Sequence, residues 1–152
     1  MVKNMKYLYM IACLLMFSGT LVLAQDHDAG EEVALYNFLN GSYRLIGKYP
    51  DSEKTYSGKV VFKYAQGKLG VVRMINNREI QGLGNLEAAT ADRIKILRVR
   101  FQQDKQRYEA TYLIGSDLDN YGRLSGHWYR EDGSTKKPGL EALFIDRKAM
   151  GQ

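Results

Sequence analysis

From residue 42 onward the chain is built of short runs in which apolar and polar side chains alternate, and each run ends at turn-forming residues. Eight such runs are legible, over residues 42–49, 56–64, 69–75, 79–86, 93–101, 107–114, 121–130 and 139–146. The dividers include Pro50-Asp51-Ser52, Gln66-Gly67, Asn76-Asn77, Gln102-Gln103-Asp104, Gly115-Ser116-Asp117 and Asp132-Gly133-Ser134. A period of two is the pattern of a half-buried strand. None of the dividers is long enough for a crossover helix, so successive strands must pair antiparallel. With an even number of strands, the first can pair with the last, which removes both exposed edges. The expected fold is all-β: an eight-stranded antiparallel up-and-down β-barrel preceded by a short N-terminal helical turn.

Side chains alternate between the two faces of a strand, so phase assigns the inner wall. Gly58, Val60, Phe62 and Tyr64 share one face of the second strand and oppose Lys59, Val61 and Lys63. In the fifth strand Leu97, Val99 and Phe101 turn inward and Arg98 and Arg100 outward. Tyr108, Ala110, Tyr112 and Ile114 form the inner set of the sixth, and Leu124, Gly126 and Trp128 that of the seventh. Glycines at Gly58, Gly82, Gly84 and Gly126 weaken a flat strand but suit the corners of a tightly coiled barrel.

The chain ahead of the strands divides in two. Residues 1–24 follow the plan of a bacterial-type signal peptide: Lys3 and Lys6, an uncharged apolar stretch broken at Ser18-Gly19-Thr20, then Val22-Leu23-Ala24 before Gln25. Residues 25–40 form an extension with a loose acidic start at 25–32 and a helical turn or two at 33–39, stopped by Asn40-Gly41. The barrel is expected over 41–147, followed by a tail at 148–152. Cleavage after Ala24 implies a periplasmic or secreted protein. Cys13, the one cysteine, leaves with the leader, so the mature domain holds no disulfide. The leader also carries two of the 22 basic residues and none of the 17 acidic ones, so the net charge drops from +5 to +3. That is too weak to argue for nucleic acid.

Five sequence features bear a resemblance. They are Gly41-Ser42-Tyr43 after a helical turn, Tyr56-x-Gly58-x-Val60, Gly82-x-Gly84-x-Leu86, Gly122-x-Leu124-x-Gly126-x-Trp128 and Gly139-x-Glu141-x-Leu143. Their order and spacing over residues 41–146 resemble the small exported lipocalin-like and avidin-like barrels of the calycin type. Tyr43 stands where those barrels open on tryptophan. The resemblance implies that Arg147 stacks on Tyr43 at the closed end. It does not carry over avidin's biotin chemistry, whose polar ligand set has no match on these strands.

The mature chain has no nucleophile elbow, P-loop or His-Glu-x-x-His motif, and its two histidines, His27 and His127, make no metal set. The sequence therefore points to a protein that is not an enzyme and uses no cofactor or metal. Arg73 and Glu141 are the charged residues that phase can turn inward. Inside, they must pair with each other, with tyrosines or with a ligand; in the opposite phase, Val72 and Met74 face the interior instead. The expected function is that of an exported binding protein holding a small, largely apolar ligand. Its barrel lining would comprise Tyr43, Phe62, Tyr64, Arg73, Phe101, Tyr112, Trp128 and Glu141. The alternative is an interaction or inhibitor protein, with a filled barrel that works through its loops or outer face. Arg93, Lys95, Arg98 and Arg100 would give such a face weak contact with anionic lipid or polysaccharide. The expected state is a monomer or weak dimer.

Overall fold

Three two-residue turns carry positive φ at both central positions: Gln66-Gly67, Asn76-Asn77 and Asp104-Lys105. That is the geometry whose twist matches the twist of paired strands, so each turn closes a tight hairpin and fixes its register. These hairpins belong to a computed structural model that describes residues 23–114 and 124–146, with side chains from residue 29. A helix α1 (Leu23–Leu39) precedes eight strands: β1 (Gly41–Lys48), β2 (Thr55–Ala65), β3 (Lys68–Ile75), β4 (Arg78–Ala89), β5 (Ile94–Gln103), β6 (Gln106–Leu113), β7 (Leu124–Arg130) and β8 (Gly139–Ile145). Every strand pairs antiparallel with its neighbours in sequence, and β1 pairs with β8, so the sheet closes into a barrel in simple order.

All eight expected strands are present, with ends shifted by a few residues. The helix corrects the reading of residues 25–32 as a loose start: α1 already begins at Leu23. Ala29, Glu31, Glu32, Ala34 and Leu35 are strong helix formers, and they outweigh the single Gly30. The helix ends where expected, with the Asn40 N–H bonded to the carbonyls of Tyr36 and Asn37 at 3.1 and 3.3 Å. The signal-peptide reading falls almost entirely outside the described residues, as does Arg147.

The chain forms two units, Met1–Leu35 and Tyr36–Gln152, and the second holds the barrel. Tyr36 and Leu39, at its start, seal one end of the barrel. Tyr36 stacks on Tyr64 at 4.7 Å between ring centroids, its hydroxyl accepts the Leu86 N–H at 3.0 Å, and Leu39 is fully buried. The inner phase of β2, β5, β6 and β7 is as the alternation predicts: Val60 and Phe62, Leu97 and Val99, Ala110 and Tyr112, Leu124 and Trp128 are all buried.

Candidate functional site

The question left open by the sequence is settled by β3 and β8: Arg73 and Glu141 both point into the barrel, their side chains 1% and 0% exposed. The two strands are not neighbours in the sheet, so the pair spans the interior. The guanidinium grips the carboxylate through both terminal nitrogens, Nη2 on Oε1 and Nη1 on Oε2 at 3.3 Å. Tyr56 donates its hydroxyl to Oε1, and Tyr112 donates to Oε2. The guanidinium also lies over the Phe101 ring, 4.2 Å from its centroid, and 5.8 Å from that of Trp128.

The register explains how two tyrosines reach one carboxylate. Glu141 is flanked by Gly126 on β7 and Gly47 on β1, and beyond those stand Tyr112 on β6 and Tyr56 on β2. A Cβ on Gly47 would run into the Tyr56 ring, and one on Gly126 into the Thr111 carbonyl and the Tyr112 ring. Each glycine is the gap over which a tyrosine crosses.

Electrostatics follow from this closure. Burial and then the Glu141 charge push the Tyr56 hydroxyl well above the usual phenol range, and Tyr112 is raised for the same reasons. Burial is the largest single influence on Arg73 and works against its charge, but the Glu141 carboxylate together with Tyr112 and Tyr56 outweighs it and holds the guanidinium above its ordinary value. Arg73 Nε has no hydrogen-bond partner among the described residues.

The expected lining residues all face inward and fall into two groups. Arg73, Phe101, Tyr112, Trp128 and Glu141 converge, joined by Tyr56, Tyr49 and Tyr108 in an aromatic cluster around Trp128. Trp128 anchors that cluster, its indole N–H donating to the Lys48 carbonyl at 3.1 Å. Tyr43, Phe62 and Tyr64 form the second group near α1. Tyr43 meets Phe62 edge-on and donates to the Leu39 carbonyl at 3.0 Å, and burial pushes its hydroxyl up to about 12. Tyr56 is the member that the lining set omits, although it shares the phase of Gly58 and Val60.

Outside the barrel, Arg98 and Arg100 stand over Glu87 and Glu109. Arg98 Nε meets Glu87 at 2.8 Å and its Nη1 meets Glu109; Arg100 reaches Glu87 at 3.0 Å and Glu109 at 2.9 Å. Tyr129 adds a hydrogen bond to Glu109 at 2.8 Å. Burial raises the Glu109 carboxyl, but Tyr129 and the two arginines override it and hold it below the usual range. Arg93 and Lys95 form no ion pair among the described residues. At the loop end, Asp51 accepts the backbone N–H groups of Lys136 and Lys137 at 2.9 and 2.8 Å, beside a polar cleft of about 590 Å³. Among the described residues no three His, Cys, Asp or Glu side chains gather as a metal set.

No family model matches the chain, and no curated protein does. A solved structure described as a redesigned beta barrel is similar in fold, with a TM-score of 0.51 at 14% identity over 74% of this chain and 95% of that one. The chain is a closed eight-stranded antiparallel β-barrel.

Proposed function

We propose that the protein is an exported interaction module, a filled barrel that serves as a rigid frame and meets its partner through its outer wall. The observation that carries this reading is the saturation of Glu141. Both carboxylate oxygens are taken by Arg73, Tyr56 and Tyr112, all from the chain itself. A carboxylate kept for a ligand would retain an open lone pair toward a cavity; this one is enclosed by buried side chains, Phe101 and Trp128 among them. An eight-stranded barrel is wide enough either to be filled by its own side chains or to hold one small ligand, and it is the enclosure of Glu141 that favours the filled form. Export rests on the leader plan of residues 1–24. A calycin-type origin rests on the Gly41-Ser42-Tyr43 opening, where Tyr43 closes onto the end of α1.

One observation favours the other reading, a small and largely apolar molecule held inside. The Arg73 Nε–H is buried among aromatic rings without an acceptor, and such an orphan donor is a natural place for a ligand oxygen. Native mass spectrometry of the protein purified from its own host separates the two. The bare polypeptide mass supports the filled frame. A retained small molecule that is lost on Arg73→Met replaces that frame with the container.

A further inference from the structure

β1, β2 and β3 contain no aspartate or glutamate. Their outward positions carry Arg44, Lys48, Lys59, Lys63 and Lys68, interleaved with Ile46, Val61, Val72 and Met74. Only Lys48 has an ion-pair partner among the described residues, Glu53 in the following loop. The opposite wall differs, because there Glu87 and Glu109 neutralise Arg98 and Arg100. Within the bare wall Arg44 is the direct register partner of Lys59. Like charges placed opposite each other destabilise a sheet, and no carboxylate from a neighbouring strand relieves this pair.

The same wall is apolar between its charges. Ile46 is 57% exposed, and Val61 and Met74 are about 40% exposed. On β4 at its border Leu83 is 57% exposed, and Glu79, the register partner of Met74, marks where the acid-free face ends. Two shallow grooves run along it. One of about 580 Å³ lies beside Arg44, Ile46, Lys59 and Phe144. The other, of about 430 Å³, opens over Gly70 between Val61, Lys63 and Leu83.

We infer that this wall docks on the surface of an anionic lipid bilayer, its cations on the headgroup phosphates and its aliphatic side chains entering the interface. The step rests on the outer-wall reading above. Charge complementarity calls for an anionic partner, and the residue types select a bilayer over an acidic protein. Protein interfaces are depleted in lysine and enriched in aromatics and arginine, whereas lysines on long stems among exposed aliphatic residues suit a fluid, diffuse layer of anionic headgroups.

The test is co-sedimentation of the protein, as its host processes it, with vesicles of phosphatidylcholine alone or mixed with phosphatidylglycerol. Binding is expected only to the mixed vesicles and should weaken with salt. Arg44→Glu should lower the partition coefficient by roughly tenfold or more. It should also raise the melting temperature, because the like-charge pair becomes an opposite one, so lost binding cannot be mistaken for lost folding. Arg93→Glu changes net charge equally, at a cation off this wall that has no ion-pair partner among the described residues, and should lower binding by clearly less. Equal losses in the two variants, equal binding to neutral vesicles, or tighter binding to soluble polyglutamate than to vesicles each overturns the proposal. If vesicle binding fails while the native mass is that of the bare chain, the filled frame stands without its membrane. A retained internal ligand removes the frame itself, whatever the vesicles show.

Discussion

Tyr112 reaches the Glu141 carboxylate over Gly126, the residue that separates them in register on the intervening strand. Tyr56 does the same over Gly47 from the other side. A five-residue row thus runs Tyr–Gly–Glu–Gly–Tyr around part of the inner wall, with Arg73 closing on it from across the barrel. The row makes the glycines part of the polar cluster rather than mere bends.

Gly126→Ala should therefore be costly. The new methyl meets the Thr111 backbone carbonyl, which cannot step aside, and the Tyr112 ring. Overpacking of this kind costs about 1–3 kcal/mol, and a displaced Tyr112 leaves a buried hydroxyl unpaired at about 1–3 kcal/mol more. Gly70→Ala is the control: its nearest neighbour is the Lys63 carbonyl at 3.6 Å, so stability should change little. Urea unfolding of both variants measures the contrast. Similar midpoints would show that Gly126 leaves room for a side chain.

The bridge across the interior gives a second expectation. Arg73→Met strands the Glu141 carboxylate, and Glu141→Leu strands the guanidinium; each should cost about 3–5 kcal/mol. The double variant should recover part of that loss, since no charge remains, but not all of it, because Tyr56 and Tyr112 lose their acceptor. Adding Tyr56→Phe and Tyr112→Phe should recover more. A thermodynamic cycle by chemical denaturation reads the coupling. Additive losses would mean that the two charges do not sense each other.

The strands and their faces were legible because the alternation is strict where lysines oppose aliphatics, as at Lys59, Val61 and Lys63. Closure was legible from the even strand count and the short dividers. The polar cluster was only half legible. Phase can turn Arg73 and Glu141 inward, but β3 and β8 are separated in the sheet by β1 and β2, and no local pattern says that two residues will meet across an interior. Tyr56 was within reach of the same argument, since it continues the phase of Gly58 and Val60, yet its role depends on the gap at Gly47 on another strand. On the outer wall, the basic run from Arg93 to Arg107 shows no carboxylate partners along its own sequence apart from Asp104. Glu87 and Glu109 reach Arg98 and Arg100 from the flanking strands, where only register brings them.

Turn chemistry offers a prediction independent of the interior. Lys105 sits at φ 66 in the β5–β6 hairpin, a conformation in which its Cβ crowds the backbone. Asn76 and Asn77, at φ 51 and 61, tolerate the same geometry better. Lys105→Gly should relieve the strain and, after the added freedom of the unfolded chain, leave a gain of about 0.5–1 kcal/mol. Thermal unfolding of the variant should show a higher midpoint. Lys105→Val, branched at Cβ, should lower it. An unchanged midpoint in both would show that this turn relaxes without penalty.

The buried phenols predict how the barrel fails in alkali. Tyr43 is pushed from an ordinary value of 10.0 to about 12 by burial, and Tyr56 and Tyr112 are raised by burial and by the Glu141 charge. In the unfolded chain each releases its proton near its ordinary value, whereas in the barrel each keeps it. Above about pH 10 the unfolded state therefore binds fewer protons, and stability falls as pH rises, by up to about 1.4 kcal/mol per pH unit for each retained proton. The contribution is complete below pH 10. It is lost for Tyr43 as pH rises toward 12, and Tyr56 and Tyr112 should ionise only as the barrel opens. Ultraviolet absorbance should show a cooperative rise of phenolate that coincides with the loss of the folded circular dichroism signal. Tyr43→Phe should make the alkaline stability curve shallower by about one proton. If all the tyrosines ionise near pH 10 with the folded signal intact, water reaches the interior, and the filled barrel gives way to an open one.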